Sequence, residues 1–95
     1  MPGPELSRLL EGFRLEWVRE LERRTVRFGC VDRSRLDYEL ALRLAIVHQV
    51  DQQRLAYIIA TGSPNAQRHR HPEDYARRTA AACARAALVR ARQIP

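Results

Sequence analysis

The first apolar residues of the chain, Leu6, Leu10, Phe13, Trp17 and Leu21, recur at spacings of four, three, four and four. That interval follows the 3.6-residue turn of an α-helix and sets all five along one stripe. A strand could not do this, because its successive residues face opposite ways. Charged residues fill the other positions, so the segment predicts an amphipathic helix from Glu5 to Arg27, stopped by Gly29 just past its end. β-Branched residues are sparse and never alternate with polar ones over a useful length, so no strand is expected.

The rest of the chain keeps the helical rhythm between breaks. After the connector "CVDRSR", Ser34 reads as an N-cap with the acid Asp37 three residues on, and Leu36, Leu40, Ala41, Leu44 and Ala45 supply an apolar face, extended by Val47 or His48. This second helix should end near His48 or Gln49. Asp51 can cap a short third helix whose inward side is Leu55, Ile58 and Ile59, closed by Thr61-Gly62-Ser63-Pro64. Pro72 suits a first helical turn, and Glu73 and Asp74 beside it complement the positive end of the helix dipole. A fourth helix is therefore expected over Pro72 to Gln93, with Tyr75, Thr79, Ala82, Ala86 and Val89 inward. The predicted fold is all-α: one bundle of four helices, one of them short, over residues 5–93 behind a lead of residues 1–4. A chain of 95 residues, 45% of them hydrophobic, can bury one modest core and not two.

Several function classes find no support in these residues. The longest hydrophobic run, Leu55 to Ala60, is too short for a membrane span or a signal-peptide core, so the expectation is a cytoplasmic protein with Cys30 and Cys83 both reduced. No Gly-rich phosphate loop, Gly-x-Ser-x-Gly elbow or His-Glu-x-x-His stands in the sequence, and two distant cysteines with a lone His69-x-His71 pair fall short of a zinc site. His48 reads as a cap or a partly buried residue, and Asp32, Asp37 and Asp51 as capping or first-turn acids. No enzymatic activity, metal or cofactor is expected of this chain alone.

The charge is distributed unevenly. All seventeen cationic side chains are arginine; residues 1–28 hold six against five acids, residues 29–62 four against four, and residues 63–95 seven against two. A solvated face usually mixes signs, whereas a one-signed segment calls for an anionic partner. In the last third, Arg68, Arg70 and His71 crowd the loop before the fourth helix. Arg78, Arg85 and Arg92 are seven apart, so they drift only about 20° per step and form a nearly straight stripe, with Arg77 about 100° away. The stripe is expected to border the inward face carrying Tyr75. Arginines for phosphates beside an aromatic ring for a base are the ingredients of single-stranded nucleic-acid or nucleotide binding, unless Tyr75 is spent on core packing.

"SRLDYELALRLA", a short helix, "SP", "R" and then "DYARRT" before an alanine-rich helix together resemble the helical-bundle domain that follows the catalytic domain in replication primases of plasmids and mobile elements, the RepB-like family. The resemblance rests on Ser34, Asp37 and Tyr38 in one signature and on Tyr75, Arg78 and Thr79 in the other. It spans about Leu10 to Ala87. It implies a bundle that does no phosphoryl transfer but helps a primase or polymerase catalytic domain or subunit hold single-stranded DNA template and the first nucleotides. Two departures stand out. The catalytic domain with its metal-binding acids is absent from these residues, which suits either a fragment or a bundle working in trans. The glycine with which the family ends the helix before the short one is also missing, and His48 and Gln49 stand near its place.

Two other readings remain open. Residues 41–63 could form a helix-turn-helix whose reading face is Gln52, Gln53 and Tyr57, although the positive charge lies elsewhere. The bundle could instead dock on a larger replication protein through residues such as Trp17 or Leu88.

Overall fold

The computed structural model describes residues 3–93 and, among them, holds helices and no strand. Of the expected lead, Met1 and Pro2 lie outside the described residues. Helix α1 spans Pro4–Phe28, α2 Arg33–Val47, α3 Gln52–Gly62 and α4 Pro72–Gln93, with a single 3₁₀ turn at Ala66–Arg68 between α3 and α4. Helices α2 and α3 form the middle of the bundle. Helix α1 packs against both on one side and α4 packs against both on the other, and the backbones of the two long helices stay apart.

Several boundaries have a local cause, although Asp51, expected to cap α3, precedes it without a side-chain cap bond. Gly29 takes the left-handed conformation at φ 81° and its N–H closes back on the Thr25 carbonyl, ending α1. Asp32 caps α2: its carboxylate accepts from the Arg35 N–H at 3.1 Å. Ser34, expected as that cap, is already helical, and its hydroxyl lies 3.4 Å from the Asn65 amide nitrogen. The end of α2 is unusual. Both the His48 and Val50 N–H groups return to the Leu44 carbonyl, and between them Gln49 sits at φ 53°, the left-handed region that favours glycine.

Leu36, Ala41, Leu55, Ile58, Ile59, Ala66, Ala76, Ala80 and Cys83 are wholly buried, with Leu10, Phe13, Trp17, Leu40 and Val50 almost so. The first helix seats closely on the end of α3, where a Cβ on Gly62 would stand 2.8 Å from Leu10 Cδ1 and 3.1 Å from Phe13 Cδ1. The third helix faces inward as expected. The fourth is turned from its expected orientation: its deepest line is Ala76, Ala80 and Cys83, while Thr79, Ala82 and Ala86 are half-buried and Val89 is exposed. Alanine satisfies a close helix contact from several sides, so the pattern of small residues did not fix the rotation. From Leu88 onward every described residue is exposed, and the last turns of α4 run past the bundle.

Candidate nucleic-acid interface

Beneath the cationic loop lies a buried polar knot centred on Asp37. Its Oδ1 accepts from Trp17 Nε1 at 2.8 Å and from the Ser63 hydroxyl at 2.6 Å; its Oδ2 accepts from the Tyr75 hydroxyl at 2.6 Å and from Asn65 Nδ2 at 3.0 Å. The carboxyl group is fully buried. Taking a carboxylate out of water costs several kcal/mol, about 3–5 once a partner is lost, so such a group persists only where donors surround it. Here α1, the α3–α4 loop and α4 all supply donors to one side chain of α2. The Ser63 hydroxyl also accepts the Ala66 N–H at 3.1 Å, which fixes the start of the 3₁₀ turn. Asp37 is thus not a first-turn helix acid facing solvent but the pin of the bundle. The sequence carried a signal for this: at 100° per residue Asp37 falls within the arc of Leu36, Leu40, Ala41 and Leu44.

The knot holds Tyr75, and Tyr75 holds the loop. Its ring stacks on His69 with centroids 3.9 Å apart and planes 15° from parallel. Burial, with the Asp37 carboxylate beside it, raises the Tyr75 pKa above the usual 10, so its hydroxyl stays a donor at neutral pH. Tyr75 itself is buried, and core packing takes the ring that the sequence left available for a base. His69 is half-exposed and stands on that ring. The wrapped loop leads into α4, whose Tyr75 N–H bonds to the His71 carbonyl at 3.1 Å.

Four of the expected binding residues, Arg70, His71, Arg77 and Arg78, meet His69 and Asp74 around a shallow cleft of about 490 Å³. A second, of about 730 Å³, opens from Arg70, His71 and Arg77 toward Ala60 and Thr61 at the end of α3. Arg77 is ion-paired with Asp74, which offsets one charge. Arg68 lies apart, in a small depression with Trp17, Leu21 and Arg33. Arg85 and Arg92 continue from Arg78 along α4, about 10 and 21 Å farther on at 1.5 Å per residue. All are exposed, and among the described residues Arg68, Arg70, Arg78, Arg85, Arg90 and Arg92 have no carboxylate within 4 Å. The Arg78 stripe does not border the inward face. It lies roughly opposite the Ala76–Cys83 line, because α4 is turned as described.

Other expectations separate here. Trp17 is buried and bonded to Asp37, so it is no docking residue, whereas Leu88 is exposed. Gln52, Gln53 and Tyr57 are exposed on α3, but the one arginine of that helix, Arg54, is paired with Asp51. Cys30 is exposed and Cys83 buried, each as a free thiol; burial pushes the Cys83 thiol up to about 11. No helix among the described residues is long and apolar enough to cross a membrane.

Fold and site together define a small all-α bundle domain, pinned about one buried carboxylate and cationic over a loop and its last helix. The family model of the RepB DNA-primase C-terminal helical domain matches residues 31–83, just over half of the chain. The chain belongs to this family, a domain of DNA primases and so of replication. Searches of curated proteins and of solved structures returned no match. The matched segment contains Asp37, Ser63, Asn65 and Tyr75 of the knot, but not Trp17, Arg85 or Arg92.

Proposed function

We propose that this bundle is the non-catalytic module with which a primase holds its single-stranded template, the initiating nucleotides, or both. Arg68, Arg70, Arg77, Arg78, Arg85 and Arg92 serve as phosphate contacts. His71 and the exposed face of His69 flank a base, and Tyr75 supports His69 from below. The phosphoryl transfer belongs to a primase or polymerase catalytic domain or subunit, for which the bundle works in the cytoplasm. What carries this reading is the set of arginines on the loop and α4 that have no carboxylate partner, while most arginines of α1 have one. Guanidiniums left unpaired keep their full charge for phosphate.

Binding to labelled single-stranded and duplex DNA, titrated with salt, tests it. Each phosphate contact to a single strand contributes about 0.7 to the slope of log K against log salt. Arg78→Ala/Arg85→Ala should therefore flatten the slope by about 1.4, with single strands bound more tightly than duplex. A flat slope in the native protein, or a slope unchanged in the double variant, removes the assignment.

A further inference from the structure

A groove runs between α1 and α2, on the side of the bundle away from α4. It is a cavity of about 320 Å³ with Leu9, Phe13, Leu40 and Leu44 along its floor. Gly12 opens one wall. Glycine is among the costliest residues inside a helix, and here the molecule's own packing does not demand it, since a Cβ at Gly12 would meet nothing within 4 Å. Gly62 is the opposite case, with Leu10 and Phe13 pressed against it. A mid-helix glycine with free space above it leaves room for something from outside to approach α1 closely.

The rim says what that something is. Arg8 on α1 and Arg43 on α2 flank the groove, with His48 at one end. Neither arginine has a carboxylate within 4 Å among the described residues, and Glu16, the acid of the lining, is turned to Arg19 at 3.9 Å. An apolar floor between unpaired cations complements an amphipathic helix whose apolar stripe is flanked by carboxylates, the helix-in-groove mode of recognition. The apolar floor offers no polar atoms for reading bases, so the groove suits protein side chains better than a polynucleotide.

We propose that the α1–α2 groove is a protein-docking site for an acidic amphipathic helix, seated over Gly12 and held at its flanks by Arg8 and Arg43. It is separate from the cationic face of α4, so the bundle can hold an anionic strand on one side and a protein partner on the other.

Fluorescence anisotropy with a designed 15-residue helical peptide tests this, with leucines at i, i+4, i+7 and i+11 and glutamates beside them; a counterpart carries lysines for the glutamates. The glutamate peptide should bind at least tenfold more tightly than the lysine peptide. Gly12→Leu, which fills the groove with a better helix former, should cut its affinity tenfold or more while the melting temperature holds or rises. Arg8→Glu/Arg43→Glu should reverse the preference between the peptides, and Arg78→Ala/Arg85→Ala should leave it unchanged. Equal binding of the two peptides, native affinity in Gly12→Leu, or displacement of the peptide by a single-stranded oligonucleotide overturns the proposal.

Discussion

The two long helices, α1 and α4, are both rich in arginine and lie on opposite sides of the bundle, yet they treat their charge differently. On α1, Arg14, Arg19 and Arg23 each sit three residues after a glutamate and pair with it, and Arg24 reaches Glu39 of α2. On α4 only Arg77 has such a partner, while Arg78, Arg85, Arg90 and Arg92 have none among the described residues. Arginine count is therefore a poor guide to electrostatic footprint. Whether a carboxylate stands within reach in the folded molecule decides whether a guanidinium is spent inside it or left for a ligand: Arg8, three residues after Glu5, stays unpaired on α1 among the described residues.

The helices communicate through Asp37, which takes Trp17 from α1 and Tyr75 from α4, so the largest way to break the comparison is to remove that carboxylate. Asp37→Ala orphans three buried donors, Trp17 Nε1 and the Ser63 and Tyr75 hydroxyls, while Asn65 keeps Tyr75 and Ser34 as acceptors; it should cost about 3–5 kcal/mol in urea unfolding. A loss below about 1 kcal/mol would mean that the knot does not hold the bundle together.

Removing one spoke rather than the hub isolates α4. Tyr75→Phe takes one donor from Asp37 and should cost about 1–3 kcal/mol. The sign of its pH effect is fixed: with the Tyr75 pKa raised in the fold, its contribution is complete below pH 10 and fades as pH climbs through the folded value. The native protein should thus lose stability in alkali more steeply than Tyr75→Phe. Parallel alkaline profiles would show that the phenol bond contributes nothing.

A smaller effect concerns the corner where α2 hands over to α3. Gln49 holds a left-handed backbone, which costs a non-glycine residue about 1–2 kcal/mol. Gln49→Gly should raise stability by up to about 1 kcal/mol, the gain being reduced by the greater freedom of glycine in the unfolded chain. A drop in stability would show that the Gln49 side chain does more than fill the turn.

The smallest effect belongs to the paired side of the comparison. Arg24 and Arg35 hold Glu39 below its usual 4.5, so their contribution is present above that pH and is lost as pH falls through the lower folded value. Glu39 is over a third exposed, and solvent keeps the pair at about 0–1 kcal/mol. Glu39→Gln should flatten the acid limb of the stability curve slightly. An unchanged acid limb would count these bridges as geometry without energy.

Much of the fold was legible in the sequence because periodicity and punctuation are local. The Leu6-to-Leu21 stripe, Gly29, Asp51 and Pro72 each mark a boundary from residues within a turn or two, and α1, α3 and α4 begin and end within a residue or so of expectation. What was lost depends on contacts distant in sequence. Asp37 read as a helix-start acid because its donors lie 20, 26, 28 and 38 positions away. The rotation of α4 escaped because alanine is at home on either side of a helix. The two signatures behind the primase resemblance do meet in space: Asp37 from the first and Tyr75 from the second share a hydrogen bond. The surplus of charge over the loop and α4 was legible, but not its geometry, since sequence alone does not say which guanidiniums find a carboxylate.

The most direct measurement sets α4 against α1 in one experiment: log K for single-stranded DNA against log salt, for the native protein, Arg78→Ala/Arg85→Ala and Arg19→Ala/Arg23→Ala. The prediction is a slope flatter by about 1.4 in the α4 variant and essentially native in the α1 variant. Equal losses in both, or the larger loss in α1, would contradict the claim that unpaired arginines on the loop and α4 form the nucleic-acid surface.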